Sequence, residues 1–73
     1  MQQIDMHGIR HGKVSDVLAD ACSTYDIPFI VVTGRSILMK GVVAEAVAPF
    51  GLHIRDHISN PGRVVVYEKS KTS

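Results

Sequence analysis

The chain is poor in most of the residues that announce a function. It has one cysteine, no tryptophan, two tyrosines, two phenylalanines and three prolines among 73 residues. The lone Cys22 excludes an internal disulfide and leaves no partner thiolate for a zinc site, so it reads as a small packed hydrophobe rather than a reactive thiol. No apolar run approaches the ~18 residues of a membrane span. The opening "MQQIDMHG" lacks the basic-then-apolar layout of a signal peptide, which sets the expectation of a cytoplasmic protein. Charge of either sign is scarce too: the net value is +1 with histidines neutral. Bulk electrostatics is then too weak to announce a nucleic-acid binder on its own, and any anion site must be local.

What remains is an ordinary globular composition, 45% hydrophobic, in a chain long enough for one thin core. Residues 1–69 read as a single domain and 70–73, "SKTS", as a frayed tail. Residues 2–7 alternate as a strand. Val14, Val17, Leu18, Ala21, Cys22 and Tyr25 then form one helical stripe, which ends near Tyr25 or Asp26 ahead of Pro28. "PFIVVT" is a β-branched run expected to be buried on both faces or nearly so. Met39, Val42, Val43, Ala46, Val47 and Phe50 make a second helical stripe, with Ser36 as its N-cap and Pro49 and Gly51 at its close. "LHIRDHI" sets Leu52, Ile54 and Ile58 against His53, Arg55 and His57. "NPG" turns the chain and "RVVVYEK" returns. The order βαβαββ predicts an α/β two-layer sandwich: a four-stranded mixed sheet, two helices on one face and water on the other.

Two short stretches carry chemistry. In "IDMHG", Asp5 and His7 lie two apart on a strand and so share a face. A carboxylate–imidazole hydrogen bond there would fix the tautomer and orientation of a general base. In "TGRS", Thr33, Gly34, Arg35 and Ser36 precede a helix whose first N–H groups and macrodipole favour a phosphate. Gly34 would let backbone approach closely, and Arg35 would bind phosphate oxygens through its guanidinium. Both stretches end parallel strands, where an open sheet places its functional crevice. Each also has a plain structural reading. A D-x-H pair is commonly a cap or a surface pair, and T-G-R-S a turn with an N-cap. His53, Arg55 and His57 make a solvated strand face as readily as a nucleic-acid surface.

Taken together, D-x-H-G after a strand, T-G-x before a second helix about 28 residues later and a closing β-hairpin resemble the Smr (small MutS-related) domain. The likeness runs from Gln3 to about Lys69. That family carries an L-D-x-H-G motif and an H-G-x-G or T-G-x-G motif, which stand here as "IDMHG" and "TGRS". Ile4 replaces leucine. Thr33 is the form without a second histidine, and Ser36 adds a side chain where the family keeps glycine. The resemblance implies nucleic-acid binding and, in several members, endonuclease activity on RNA or nicking of DNA. It maps the family's Asp and His to Asp5 and His7 and its second motif to Thr33, Gly34 and Arg35; Gly8 and Ser36 are candidate phosphate-binding positions beside them. A chain this short is expected to be a free-standing minimal version, relying on an oligomer, a partner or its own surface to find substrate.

The expectation is therefore a nucleic-acid-binding domain in which His7 acts as general base, oriented by Asp5, on a phosphate held by the second loop. A variant has Asp5 hold a divalent cation, Mg or Mn, that activates water. The rival from another class is a non-catalytic module whose same loop edge grips phosphates of RNA or DNA while His53, Arg55, His57 and Lys69 on the open face follow the backbone. A third is a small protein–protein adaptor that uses the open face or an edge strand.

Overall fold

The alternating and helical stripes fold into βαβαββ in a computed structural model that describes residues 2–68. The elements are β1 (Gln3–Asp5), α1 (His11–Thr24), β2 (Phe29–Val32), α2 (Ile37–Val47), a 3₁₀ turn (Ala48–Phe50), β3 (Leu52–Asp56) and β4 (Arg63–Glu68). The sheet order is β1-β2-β4-β3, with β1 and β2 parallel and the other pairs antiparallel. It is a four-stranded mixed sheet backed by two helices, as expected.

Register decides which residues face the helices. Ile4 pairs with Val31, Val31 with Val64 and Phe29 with Val66, so these side chains share one face. They meet Val14, Leu18 and Ala21 of α1 and Met39, Val43 and Val47 of α2 in one core. Phe29 is fully buried, and Tyr25 meets its ring edge-on at 5.6 Å. Burying a side chain of that size contributes about 1.5–3 kcal/mol, so this aromatic pair anchors the space between α1 and the sheet. Cys22 packs half-buried against the core, and burial pushes its thiol up from the ordinary range.

Several element limits differ from expectation, each for a local reason. The first strand stops at Asp5 rather than residue 7, because the chain turns there: Ile9 donates to the Met6 carbonyl at 3.1 Å and Gly8 takes φ +82°. α1, by contrast, closes where expected, at Thr24 with Tyr25 as its cap, whose N–H meets the Ala21 carbonyl. Val17 sits at the margin of its stripe and is exposed, as is Phe50, which the tighter 3₁₀ turn carries off the α2 face. Only alternate residues of β2, Phe29 and Val31, are fully buried, so the strand is covered on the helix side alone. Ile58 does not continue the apolar face of β3: the strand ends at Asp56, and Ile58 stands 95% exposed in the turn. Among the described residues no helix is long and apolar enough to cross a membrane.

The polarity of the strands gathers the motifs. Asp5 and Val32 are register partners and end β1 and β2 side by side. Arg63, which begins β4, pairs with Val32, and Asp56, which ends β3, pairs with Val64. One end of the sheet, here the loop end, thus carries the segments 6–10, 33–36 and 57–62. The starts of β1 and β2 and the close of β4 lie at the far end.

Candidate phosphate site and open sheet face

At the loop end, residue chemistry first builds a turn. The Asp5 Oδ1 accepts from the backbone N–H of His7 at 2.9 Å. This is an Asx-type turn, in which a short carboxylate satisfies an amide two residues on. The expected carboxylate–imidazole bond is not formed. A local backbone donor two residues away competes better than a ring that must fold back along a strand already ended, so Asp5 shapes the turn and leaves the imidazole free of it. Gly8 completes that turn at positive φ, with open space where a Cβ would stand. Among the described residues neither ring nitrogen of His7 has a protein partner.

The freed ring points to the second motif. Gly34 has φ +67°, and a Cβ built on it would stand 3.2 Å from His7 Cδ2 and 4.0 Å from Nε2. The imidazole therefore rests against bare backbone, and the two sequence motifs form one site. Thr33 is buried: its N–H donates to the Gly62 carbonyl at 3.0 Å and its hydroxyl to the Gly34 carbonyl at 2.8 Å. It fixes the loop from below instead of facing a ligand. The Ser36 hydroxyl accepts from Met39 N–H at 3.0 Å, the N-cap bond expected of it, and its own O–H has no protein acceptor among the described residues. The groups open to an anion are that hydroxyl, backbone and guanidinium. Among the described residues the N–H groups of Gly34, Arg35 and Ser36 have no protein acceptor, and Arg35 is exposed.

The hairpin turn supports this loop from the other side. Lys40 donates to Asp56 Oδ1 at 3.1 Å and to the Pro61 carbonyl at 2.8 Å, tying α2 to the segment 57–62. That brings Gly62 against Gly34, where a Cβ on Gly62 would stand 3.6 Å from Gly34 Cα. Lys40 and Gly62 carried no functional signal in the sequence, because their roles depend on a tertiary approach.

His57 belongs to the loop end, where its N–H donates to the Arg63 carbonyl at 3.0 Å and its Nδ1 accepts from Ser59 N–H at 3.2 Å. His53 does not: it lies toward the far end, opposite Tyr67. His53, Arg55, Arg63, Val65 and Tyr67 share the sheet face that no helix covers. The His53 and Tyr67 rings lie 5.8 Å apart at 37°, and the Arg55 guanidinium stands 5.8 Å from the Tyr67 centroid. Such a guanidinium–ring contact is favourable within ~6 Å. A cavity of about 270 Å³ opens beside them, lined by Ile30, Arg55, Asp56, His57, Ile58 and Val65. Tyr67 and Ile58 escaped functional reading in the sequence. The period-two parity of 63, 65 and 67 would have placed Tyr67 beside Arg55, but a tyrosine after three valines reads as core. Lys69, counted on this face from the sequence, lies outside the described residues.

Among the described residues no three His, Cys, Asp or Glu side chains gather as a metal cluster. Asp5, the carboxylate considered for a divalent cation, gives Oδ1 to His7 N–H, and its Oδ2 has no protein partner among the described residues. In comparisons with known proteins, no family model matches the chain, and no curated protein or solved structure does so.

Proposed function

We propose that this chain is an Smr-like domain that binds nucleic acid, with a backbone phosphate seated between the two loops of the loop end. The observation that carries the reading is the contact of His7 with Gly34, which joins the two motifs beside unpaired loop N–H groups, Arg35 and a helix start. Oriented amides and a guanidinium are the groups a phosphodiester oxygen calls for. Arg35, Arg55 and Arg63 make no ion pair among the described residues, where Lys40–Asp56 is the pair found, so their charge is free to meet a polyanion.

A second reading, cleavage of the bound strand, is favoured by the free imidazole of His7 at the rim of the same site. His7 would take a proton from a ribose hydroxyl or from water, a contribution worth ~10²–10⁴-fold. It would do so without an orienting carboxylate, since Asp5 is committed to the turn.

One experiment separates these readings. Purified protein is incubated with labelled single- and double-stranded RNA and DNA, with and without magnesium and with EDTA, and both gel shift and product ends are read. Binding that Arg35→Ala weakens at unchanged melting temperature supports the phosphate site. Cleavage lost in His7→Ala while binding persists supports catalysis; loss with EDTA that magnesium restores would instead call for a metal. No shift with any nucleic acid sinks the proposal and favours a protein-binding adaptor.

A further inference from the structure

The loop end accounts for a phosphate, but not for the open face of the sheet, where an apolar floor, a guanidinium, an imidazole and an aromatic ring stand together. Ile30 and Val65 are register partners and form the floor of the 270 Å³ cavity. Val65 is only 6% exposed although no helix lies over it. Ile58 stands 95% exposed beside that floor and forms one wall. Ile58 thus places an aliphatic side chain in water directly beside an apolar hollow, where an occupant of the cavity would touch it. The other wall is Arg55 and His57.

The polar groups say what kind of occupant fits. His57 Nδ1 accepts from Ser59 N–H, so in the neutral ring the proton resides on Nε2, which is left as a donor. Arg55 offers guanidinium donors and lies against Tyr67. Asp56, the one carboxylate among the lining residues, is engaged by Lys40. Donors are therefore free at the rim while the acidic group is neutralised. That is complementary to a flat, acceptor-rich ring joined to an anion, and the volume is too small for a larger ligand. A row of register partners, Asp5–Val32–Arg63, runs across the same face between the cavity and the loop end, and the His57 N–H donates to the Arg63 carbonyl, so a strand seated at the loops can continue toward the cavity.

We infer that the cavity between Ile58, Ile30 and Val65 receives one unpaired nucleobase, with Tyr67 as a stacking platform for its neighbour, so that the protein takes single-stranded nucleic acid in preference to duplex. This rests on the proposed phosphate site, which it extends by naming the form of the strand. Bases within a duplex are stacked and paired and cannot enter, whereas an unpaired base offers its face to an aliphatic floor or an aromatic ring. Stacking of this kind tolerates any base, so the surface selects strandedness rather than sequence.

The test compares three fluorescent ligands of equal charge per strand: a single-stranded octamer, as RNA and as DNA; the same backbone with every site abasic; and a duplex. The single strand is expected to bind about tenfold or more tighter than the abasic strand. Ile58→Ser and Tyr67→Ala, neither of which changes charge, should bring the intact strand down to the abasic level and leave abasic binding within about twofold. Arg35→Ala should weaken both ligands alike. Methyl resonances of Ile30, Ile58 and Val65 should move with the intact strand and stay in place with the abasic one. Ile58 is so exposed that its substitution leaves folding intact, which the same spectra verify. Equal affinity for intact and abasic strands, or tighter binding of duplex, overturns the base pocket while sparing the phosphate site. Binding of none of the three overturns both.

Discussion

Gly34 accommodates the His7 ring because it has no side chain to put in its way. Two separate costs should follow from Gly34→Ala: about 1–2 kcal/mol for an L-residue held at positive φ, and crowding of an imidazole whose Cδ2 would lie 3.2 Å from the new Cβ. Substituting His7 as well removes the second cost and keeps the first. A double-mutant cycle in urea should therefore show coupling of roughly 0.5 kcal/mol or more. Gly8→Ala is the control, since its positive φ comes with open space and it should show no coupling to His7. A cycle that closes to zero at both positions would mean that the ring does not rest on Gly34. Asp5 is tested by the same titration. Asp5→Asn keeps an oxygen for His7 N–H and should hold stability and nucleic-acid binding, while Asp5→Ala should lose about 0.5–1.5 kcal/mol. Both motifs were legible as sites of polar chemistry because ionisable groups and glycines interrupt apolar strands. The partner chosen by Asp5 was not, since the spacing suits a backbone amide as well as an imidazole and only the early end of β1 decides between them.

At the level of elements, α2 is held at its start by a cap and by a lysine. The Ser36–Met39 bond is a local feature, readable from a serine set just before a helical stripe. Ser36→Ala should cost about 1 kcal/mol in thermal or urea unfolding without disturbing the hairpin. Lys40 acts across elements. Its pairing with exposed Asp56 is of the kind worth ~0–1 kcal/mol, so Lys40→Met should barely move global stability. Its hold on the Pro61 carbonyl, however, positions the segment 57–62 against Gly34. Faster amide hydrogen exchange at Gly62 and Arg63, together with weaker oligonucleotide binding, is the expected signature. Unchanged exchange there would show that the turn is fixed by its own Asn60 Oδ1 contact to Gly62 N–H and not by α2. Element type and order followed from periodicity alone. The departures came where an element met a neighbour: Phe50 leaves its helical face when the last turn tightens, and Ile58 leaves its strand when pairing with β4 stops.

For the whole molecule, the decisive fact is that β4 inserts between β2 and β3, a choice no stretch of sequence announces. The insertion sets Arg63 beside Val32 and brings Gly62 to Gly34, so that the hairpin turn joins the loop end of the sheet. With Arg35, Arg55 and Arg63 as its free cations, binding to a single strand should weaken with salt at a logarithmic slope of about −2. Each arginine removed should lower the magnitude by about 0.7. A flat salt profile would assign the surface to a partner other than a polyanion. The strand polarity that gathers the loops at one end also sends β1 and β4 outward from the other: Gln3 begins and Glu68 ends at the pole away from Gly34. Anything joined to the chain before β1 or after β4, whether a fused domain, a tag or a solid support, therefore attaches at the pole away from Gly34: a tether through β1 leaves the loops facing out, whereas one through β4 starts beside Tyr67.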